Sequence, residues 1–363
     1  MFSADDHRFM TRALQLARRG LFTAAPNPRV GCVIVREGVV AGEGWHERAG
    51  APHAEVNALA AAGVAARSAT VYVSLEPCVH HGRTPPCSEA LAAAGVTRVV
   101  AAMRDPNPLV AGKGLEALRK AGVGAESGLM EAEASELNIG FVSRMRRGRP
   151  WVRMKLAASL DGKTALVNGK SQWITGPAAR RDGHAWRARA CAVLTGIGTV
   201  KDDDPQLTVR EVETTRQPLR VVVDSRLETP PAARILAGGG VLIAAALEDR
   251  DRMSVLQDRG AEVIALPNEA GKVDLVRLMQ ALASREVNEV HVEAGFKLNG
   301  SLLAEGLVDE LVVYLAPCLL GDSARGMFDL SELQDLEVRR ALNVHDVRMI
   351  EGDIRIVARV TNV

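Results

Sequence analysis

"EPCVHHGRTPPCSEA", Glu76 to Ala90, sets two cysteines nine positions apart, each beside a proline, with two histidines between them. How Cys78 and Cys87 are used decides how the surrounding chain folds. They can form a disulfide, lie as two buried thiols, or hold a metal. The start of the chain bears on the first option. Asp5, Asp6, His7 and Arg8 interrupt any apolar leader there, and "SADDHRFMTRALQLARRG" reads instead as a helix. Ser3 and Asp6 make its capping box, Phe9, Met10, Ala13, Leu14 and Ala17 its apolar stripe, and Gly20 its stop. A cytoplasmic protein is therefore expected, and a reducing compartment disfavours a structural disulfide. The five cysteines then read as core thiols or ligands.

Bulk properties narrow the classes further. At 363 residues two domains are expected, and 47% apolar with 25% charged residues is ordinary for a globular chain. A net charge of +1 and 3% aromatics argue against nucleic-acid partners and an anionic membrane surface. The longest apolar runs, such as "VLIAAAL" from Val241, are too short to span a bilayer.

Strand and helix patterns alternate around the cysteines. "RVGCVIVREGVVAGEGW" reads as two strands joined at Gly38, followed by the helix "HAEVNALAAAG", the strand "ATVYVSL", the helix "PCSEALAAAG", the strand "TRVVAAM" and the helix "GKGLEALRKAG". This is the rhythm of an α/β layer. "SRMRRGRPW" interrupts it and reads as a solvated hinge, dividing the chain into domains at 1–146 and 147–363. A second α/β series follows. Its strands are "WVRMKLAAS", "CAVLTGIG", "LRVVVDS", "GGVLIAAA", "NEVHVEAG" and "DELVVYLAP", with helices such as "GPAARRDGHAWRARA" and "DLVRLMQALAS" between them.

A catalytic zinc takes three protein ligands and keeps a fourth position for water, whose pKa falls toward ~7. Beside Cys78 and Cys87 the candidate third ligand is His53 in "PHAEV", because Glu55 follows two residues later, placed to move a proton without ligating. His53 and Glu55 would open one helix, and Cys78 would stand after a strand at the start of another, where helix N-termini favour thiolates. Residue types alone leave alternatives open. A structural zinc site could recruit His80 or His81 as a fourth ligand, and the cysteines could be plain core thiols.

His-x-Glu with Pro-Cys and a second Cys resembles the zinc nucleobase deaminases. Nucleic-acid deaminases carry Pro-Cys-x-x-Cys, whereas here eight residues, "VHHGRTPP", separate the cysteines. That loop resembles the riboflavin-biosynthesis branch, as do "NPRVGCVIV", "GEGWHERAGAPHAE" and "DPNP", and the similarity runs through essentially the whole chain. The resemblance is to the bifunctional deaminase–reductase family of riboflavin biosynthesis. It implies a cytidine-deaminase-like three-layer α/β/α domain followed by a dihydrofolate-reductase-like α/β domain. It implies zinc on His53, Cys78 and Cys87, with Glu55 as proton shuttle. It places Asn27, His46, His80, Arg83, Asp105 and Asn107 around a pyrimidine ribosyl-phosphate. Arg83 stands where some members carry lysine, which keeps the charge but changes its geometry. A homo-oligomer, dimer or tetramer, is also expected.

Without the resemblance the second domain says little. It has no G-x-G-x-x-G after its first strand, and "GFKLNGSL" lacks the lysine of a Walker loop. A glycine-bearing turn between "NEVHVEAG" and the helix "SLLAEGL", and Asp224 with Ser225 and Arg226 at a strand end, are weak dinucleotide signals beside the reading as ordinary turns. "KLAASLDGKTA", "SQWITG", "LTGIGTVKDDDPQLTVR" and "VEAG", in that order, resemble the family's reductase half. This implies NADPH on Ala157, Trp173, Thr199, Asp203, Ser225 and the segment Gly295, Phe296, Lys297, Leu298, Asn299, Gly300 and Ser301. It implies substrate on Ser171, Arg187, Leu207, Arg210 and Glu293, with Arg187 and Arg210 as forks on the ribose phosphate. The partners implied are phosphorylated ribosylaminopyrimidines, deaminated first and then reduced at the ribose C1. Two rivals remain at this point, a nucleoside or tRNA deaminase with an added domain and a non-enzymatic zinc-stabilised module.

Overall fold

Ser3 caps the first helix, α1 (Ala4–Arg18): its hydroxyl takes the Asp6 N–H at 3.1 Å while the Asp6 carboxylate takes the Ser3 N–H at 2.8 Å. The computed structural model that shows this describes residues 1–79, 86–108 and 110–361. They form two units, Met1–Gly148 and Arg149–Val363.

The first unit holds a sheet of β1 (Gly31–Arg36), β2 (Val39–Trp45), β3 (Thr70–Val73), β4 (Arg98–Ala101) and β5 (Gly124–Ser127), in the order β2-β1-β3-β4-β5. β1 runs antiparallel to β2 and β3, and β3, β4 and β5 are mutually parallel. Helices α2 (Ala54–Ala62), α3 (Cys87–Ala93), α4 (Lys113–Lys120), α5 (Glu131–Leu137) and α6 (Ile139–Arg147) complete it. Side chains alternate across a strand, so each strand feeds two cores. Cys32, Ile34, Val71 and Val73 pack with Ala54, Ala58, Leu91, Leu115 and Leu118. Val33, Val35 and Tyr72 pack with Phe9, Met10, Leu14, Ala134 and Phe141. The result is the three-layer α/β/α arrangement.

Glycine sets how close α2 lies to the sheet. A Cβ on Gly44 would stand 2.5 Å from the Ala54 carbonyl oxygen and 2.5 Å from the Ala58 nitrogen. Only a bare backbone lets α2 approach that far. The basic run expected as a hinge is instead the last turn of α6, with Arg144, Arg146 and Arg147 at the end a helix dipole favours for cations, closed by Gly148 at φ +67°.

The second unit is built on β6 (Trp151–Ser159), α7 (Pro177–Arg189), β8 (Ala192–Gly196), α8 (Ile197–Asp203), β9 (Leu219–Val223), β10 (Val241–Ala245), α9 (Arg250–Gln257) and β11 (Ala261–Ala265). α10 (Leu275–Ser284), β12 (Glu289–Val292), α11 (Phe296–Ala304), β13 (Glu310–Ala316), β15 (Leu342–Ile350) and β16 (Asp353–Val360) follow, and the short β7 (Lys163–Ala165) and β14 (Arg325–Gly326) pair beside them. The main sheet runs β11-β10-β9-β8-β12-β6-β13-β16-β15. It is parallel from β11 to β13, and its last two pairings are antiparallel. All six strands read from sequence in this half are present; β7, β11, β14, β15 and β16 are additional. The expected turn before "SLLAEGL" is corrected. α11 already starts at Phe296, with Gly295 as its N-cap, so Lys297 to Ser301 are helical.

Candidate active sites

His53 is the N-cap of α2, which puts its ring at the helix mouth and Glu55 in the first turn. Cys87 is the first residue of α3, and Cys78 lies in the segment after β3, outside any helix. The expectation that Cys78 itself starts a helix is thereby corrected: it is the α3 terminus that serves it, through the Cys87 N–H donated to Cys78 Sγ at 3.4 Å. His53 Nδ1 stands 3.2 Å from Cys87 Sγ and 3.6 Å from Cys78 Sγ. The three donor atoms lie within 4.8 Å of one another. Bonds of about 2.1 Å to nitrogen and 2.3 Å to sulfur in a tetrahedral zinc centre put ligand atoms roughly 3.5–3.8 Å apart, so the set fits one ion.

Electrostatics around these donors splits the two thiols and favours the thiolate at Cys78. Hydrogen bonds from Cys87, then from His53, hold the Cys78 thiol down to about 4, and the same pairing pushes the Cys87 thiol up. Glu55 is 4% exposed, and burial pushes its carboxyl up to about 7. It can therefore hold or release a proton near neutrality.

Asn27 and His46 stand together beside this centre. The Asn27 amide nitrogen is 3.0 Å from His46 Nε2, and His46 Nδ1 is 3.1 Å from the Pro52 carbonyl oxygen. A carbonyl only accepts, so His46 carries its proton on Nδ1 and takes the Asn27 N–H on Nε2. The His46 and His53 rings meet edge to face at 5.6 Å. Asp105 and Asn107 share one loop, where the Asn107 N–H donates to Asp105 Oδ1 at 2.8 Å. His80 and Arg83 lie outside the described residues.

Glu76 escaped the sequence reading although it opens the decisive stretch. It is 3% exposed, and its carboxylate accepts four backbone N–H groups: Asp105 at 3.1 Å, Gly112 at 2.9 Å, Gly114 at 2.8 Å and Leu115 at 3.2 Å. It thus ties the cysteine segment to the Asp105 loop and the start of α4. A carboxylate has about four lone-pair positions, and all are used. The one available signal was an acidic residue directly before Pro77 in an otherwise apolar strand end.

In the second unit a cavity of about 1270 Å³ opens along β6, α7, α8 and the start of α11. It exceeds the roughly 300–1,000 Å³ of single-ligand pockets, leaving room for a dinucleotide beside a substrate. Of the expected cofactor residues, Ala157, Trp173, Thr199, Asp203, Gly295, Phe296, Lys297 and Leu298 line it, as do the expected substrate residues Ser171, Arg187, Leu207, Arg210 and Glu293. Ser225, Asn299, Gly300 and Ser301 are not on its wall. Ser225 Oγ accepts the Val273 N–H at 3.2 Å. Asn299 is buried and donates to the Ala294 carbonyl at 3.1 Å, while Ser301 donates to the Lys297 carbonyl. A Cβ on Gly300 would strike the Asp329 backbone. α-Helical geometry turns these three away once α11 begins at Phe296. Asp224 is fully buried, and its Oδ2 accepts the Thr229 N–H and hydroxyl, each at 2.7 Å, so the ribose-binding option is corrected to a loop anchor.

Arg187 donates Nε and Nη2 to the two oxygens of Glu293, the latter at 2.8 Å, and Nη1 to the Thr208 carbonyl at 3.2 Å. Although burial opposes the charge, Arg187 holds the Glu293 carboxyl well below the usual range. Lys155, also on the wall, has its ammonium pushed down by burial. Sequence reading assigned no role to Lys155, nor to His184, Arg180, Arg234 and Arg325 on the same wall. Only for His184 was a signal available, its place three residues before Arg187 in one helix.

Two family models match. Residues 3–103 match the cytidine and deoxycytidylate deaminase zinc-binding region, and residues 150–354 match the RibD C-terminal domain. The riboflavin biosynthesis protein RibD of Escherichia coli K12 is 49% identical over 96% of this chain and 98% of its own length. That of Haemophilus influenzae is 46% identical, covering 98% and 97%. Among solved structures, Acinetobacter baumannii RibD superposes with a TM-score of 0.93 at 44% identity, covering 99% of both chains. A diaminohydroxyphosphoribosylaminopyrimidine deaminase/5-amino-6-(5-phosphoribosylamino)uracil reductase from Thermotoga maritima gives 0.86 at 33% identity, covering 98% of this chain and 99% of that one.

Proposed function

Because the chain belongs to the RibD family of riboflavin-biosynthesis deaminase–reductases, we propose that its two sites divide that family's two reactions as follows. The enzyme deaminates 2,5-diamino-6-(5-phosphoribosylamino)pyrimidin-4(3H)-one and reduces 5-amino-6-(5-phosphoribosylamino)uracil, using zinc and NADPH. Deamination is assigned to residues 1–146 and reduction to 147–363.

In the first site His53, Cys78 and Cys87 hold zinc, which when bound supplies a Lewis acid that makes water nucleophilic at neutral pH. Glu55 relays the water's two protons in turn, one to the ring nitrogen and the other to the departing amine. The observation that carries this is the three-donor cluster with a buried carboxyl, raised to about 7, two residues from the histidine. Asn27, with its amide oriented by His46, and the loop of Asp105 and Asn107 hold the pyrimidine ribosyl-phosphate together with His80 and Arg83. In the second site Ala157, Trp173, Thr199, Asp203 and Gly295 to Leu298 hold NADPH, which when bound supplies the hydride. Ser171, Leu207, Arg210 and Glu293 hold the ribosyl chain, and Arg187 keeps Glu293 ionised and fixed in place.

We also assign the enzyme to the cytoplasm and to a homo-oligomer, dimer or tetramer. No helix among the described residues is long and apolar enough to cross a membrane. Leu342, Val344, Val347 and Met349 are exposed on β15, the edge of the large sheet, which supports pairing with a second copy. Mass spectrometry of the diaminopyrimidine ribosyl-phosphate, incubated with zinc-loaded enzyme and NADPH, tests the two reactions. An amino group should be exchanged for oxygen, and two hydrogens should then be gained. Loss of the first change alone in Glu55→Gln, with zinc retained, is the expected signature of the shuttle.

A further inference from the structure

We infer that His184 is a phosphate-binding group of the reductase cavity, donating its Nε2–H to the substrate's ribosyl phosphate alongside Arg210. The inference deepens the reading that Arg210 marks the phosphate end of the cavity, and it rests on that reading.

The first argument is placement. His184 and Arg187 stand three residues apart on α7 and share one face of it, and both line the cavity with Arg210. His184 is 7% exposed, so its ring is held by its surroundings while still reaching the cavity wall.

The second is the state of the ring. The Arg210 backbone N–H donates to His184 Nδ1 at 3.2 Å. A backbone N–H cannot accept, so Nδ1 presents its lone pair and the ring proton sits on Nε2. Burial, then the guanidinium charges of Arg187 and Arg210, push the imidazolium down to about 4, so the ring is neutral at physiological pH. Among the described residues no acceptor takes its Nε2–H.

The third is the state of the two arginines. Three of the five N–H groups of Arg187 are already given to Glu293 and the Thr208 carbonyl, so its fork is not open to a phosphate as the sequence suggested. The Arg210 side chain hydrogen-bonds only neutral groups, Gln206 Oε1 at 3.3 Å and Thr208 Oγ1 at 3.0 Å. One open guanidinium cannot saturate the three terminal oxygens of a phosphate. A pre-oriented neutral donor whose other nitrogen is fixed to the backbone of that same arginine fits what is missing.

The test is steady-state reduction of 5-amino-6-(5-phosphoribosylamino)uracil and of its dephosphorylated form by three variants. His184→Asn keeps an acceptor near Nδ1 and lacks the distal donor; His184→Gln carries an amide N–H near the Nε2 position; Arg210→Ala marks the phosphate end. For His184→Asn we expect KM of the phosphorylated substrate to rise about 10- to 100-fold, the worth of a hydrogen bond to a charged group, with kcat little changed. The dephosphorylated substrate should be nearly unaffected, and His184→Gln should recover most of the loss. Equal losses on both substrates, or no loss, from His184→Asn while Arg210→Ala is phosphate-selective would overturn the role of His184 alone. If Arg210→Ala also penalises both substrates equally, the phosphate assignment of the cavity falls, and the inference with it.

Discussion

The metal centre of the first unit and the cavity of the second assemble their groups in opposite ways. Three donors, His53, Cys78 and Cys87, converge within 4.8 Å because two helix starts and one strand end meet at one edge of a small sheet. The cavity instead draws on residues from Lys155 to Arg325, spread over β6, α7, α8, α11 and the connections between them. A compact site depends on a few short-range supports, each of which is costly to lose. A distributed site depends on many, so single losses there should be graded.

The sharpest way to break this contrast is Glu55→Gln. Deamination should fall by about 10²–10⁴-fold, the range of a general acid–base group, with zinc content and NADPH-dependent reduction unchanged. Paired turnover assays and metal analysis check it, and a parallel fall in reduction would mean that the two sites are not separable.

Glu76→Ala strikes the support rather than the chemistry. It leaves four backbone donors without their acceptor, and with water able to reach only some of them the first unit should lose about 3 kcal/mol. Urea unfolding followed by the near-ultraviolet signal measures this. Zinc affinity and deamination should weaken together, because the same carboxylate joins the Cys78 segment to the Asp105 loop.

Gly44→Ala should cost roughly 1–3 kcal/mol, the usual range for overpacking, because its methyl meets the α2 backbone at 2.5 Å. The displacement carries His53 and Glu55 with it, so deamination should drop more than the stability loss alone would cause. Undiminished turnover would show that α2 can retreat without moving its N-terminus.

The smallest effect lies in the second unit. Ser301→Ala should leave KM for NADPH within about twofold, the ±0.5 kcal/mol of an ordinary surface change, because its hydroxyl serves the Lys297 carbonyl on α11. A tenfold rise would bring Ser301 back to the cofactor and contradict the placement of that helix.

Much of the molecule could be read before folding was considered. The capping box of Ser3 and Asp6, the strand pair around Gly38, and His53, Glu55, Cys78 and Cys87 are local patterns in which residue type and spacing carry the physics. The amino-acid sequence by itself determined the two α/β series and, through its similarity to a known family, the zinc donor set and both reactions. Other features depend on partners far away along the chain. Glu76 looks like a surface acid until the amides of residues 105–115 close on it. Arg153 sits in a strand pattern that would suit a solvated face, yet it is 1% exposed between Glu289 and Glu310. Arg187 looks like a phosphate fork until Glu293, just past the end of β12, takes it. Only tertiary structure decides such cases, because a polar side chain's role follows from which donors and acceptors surround it after water has been removed.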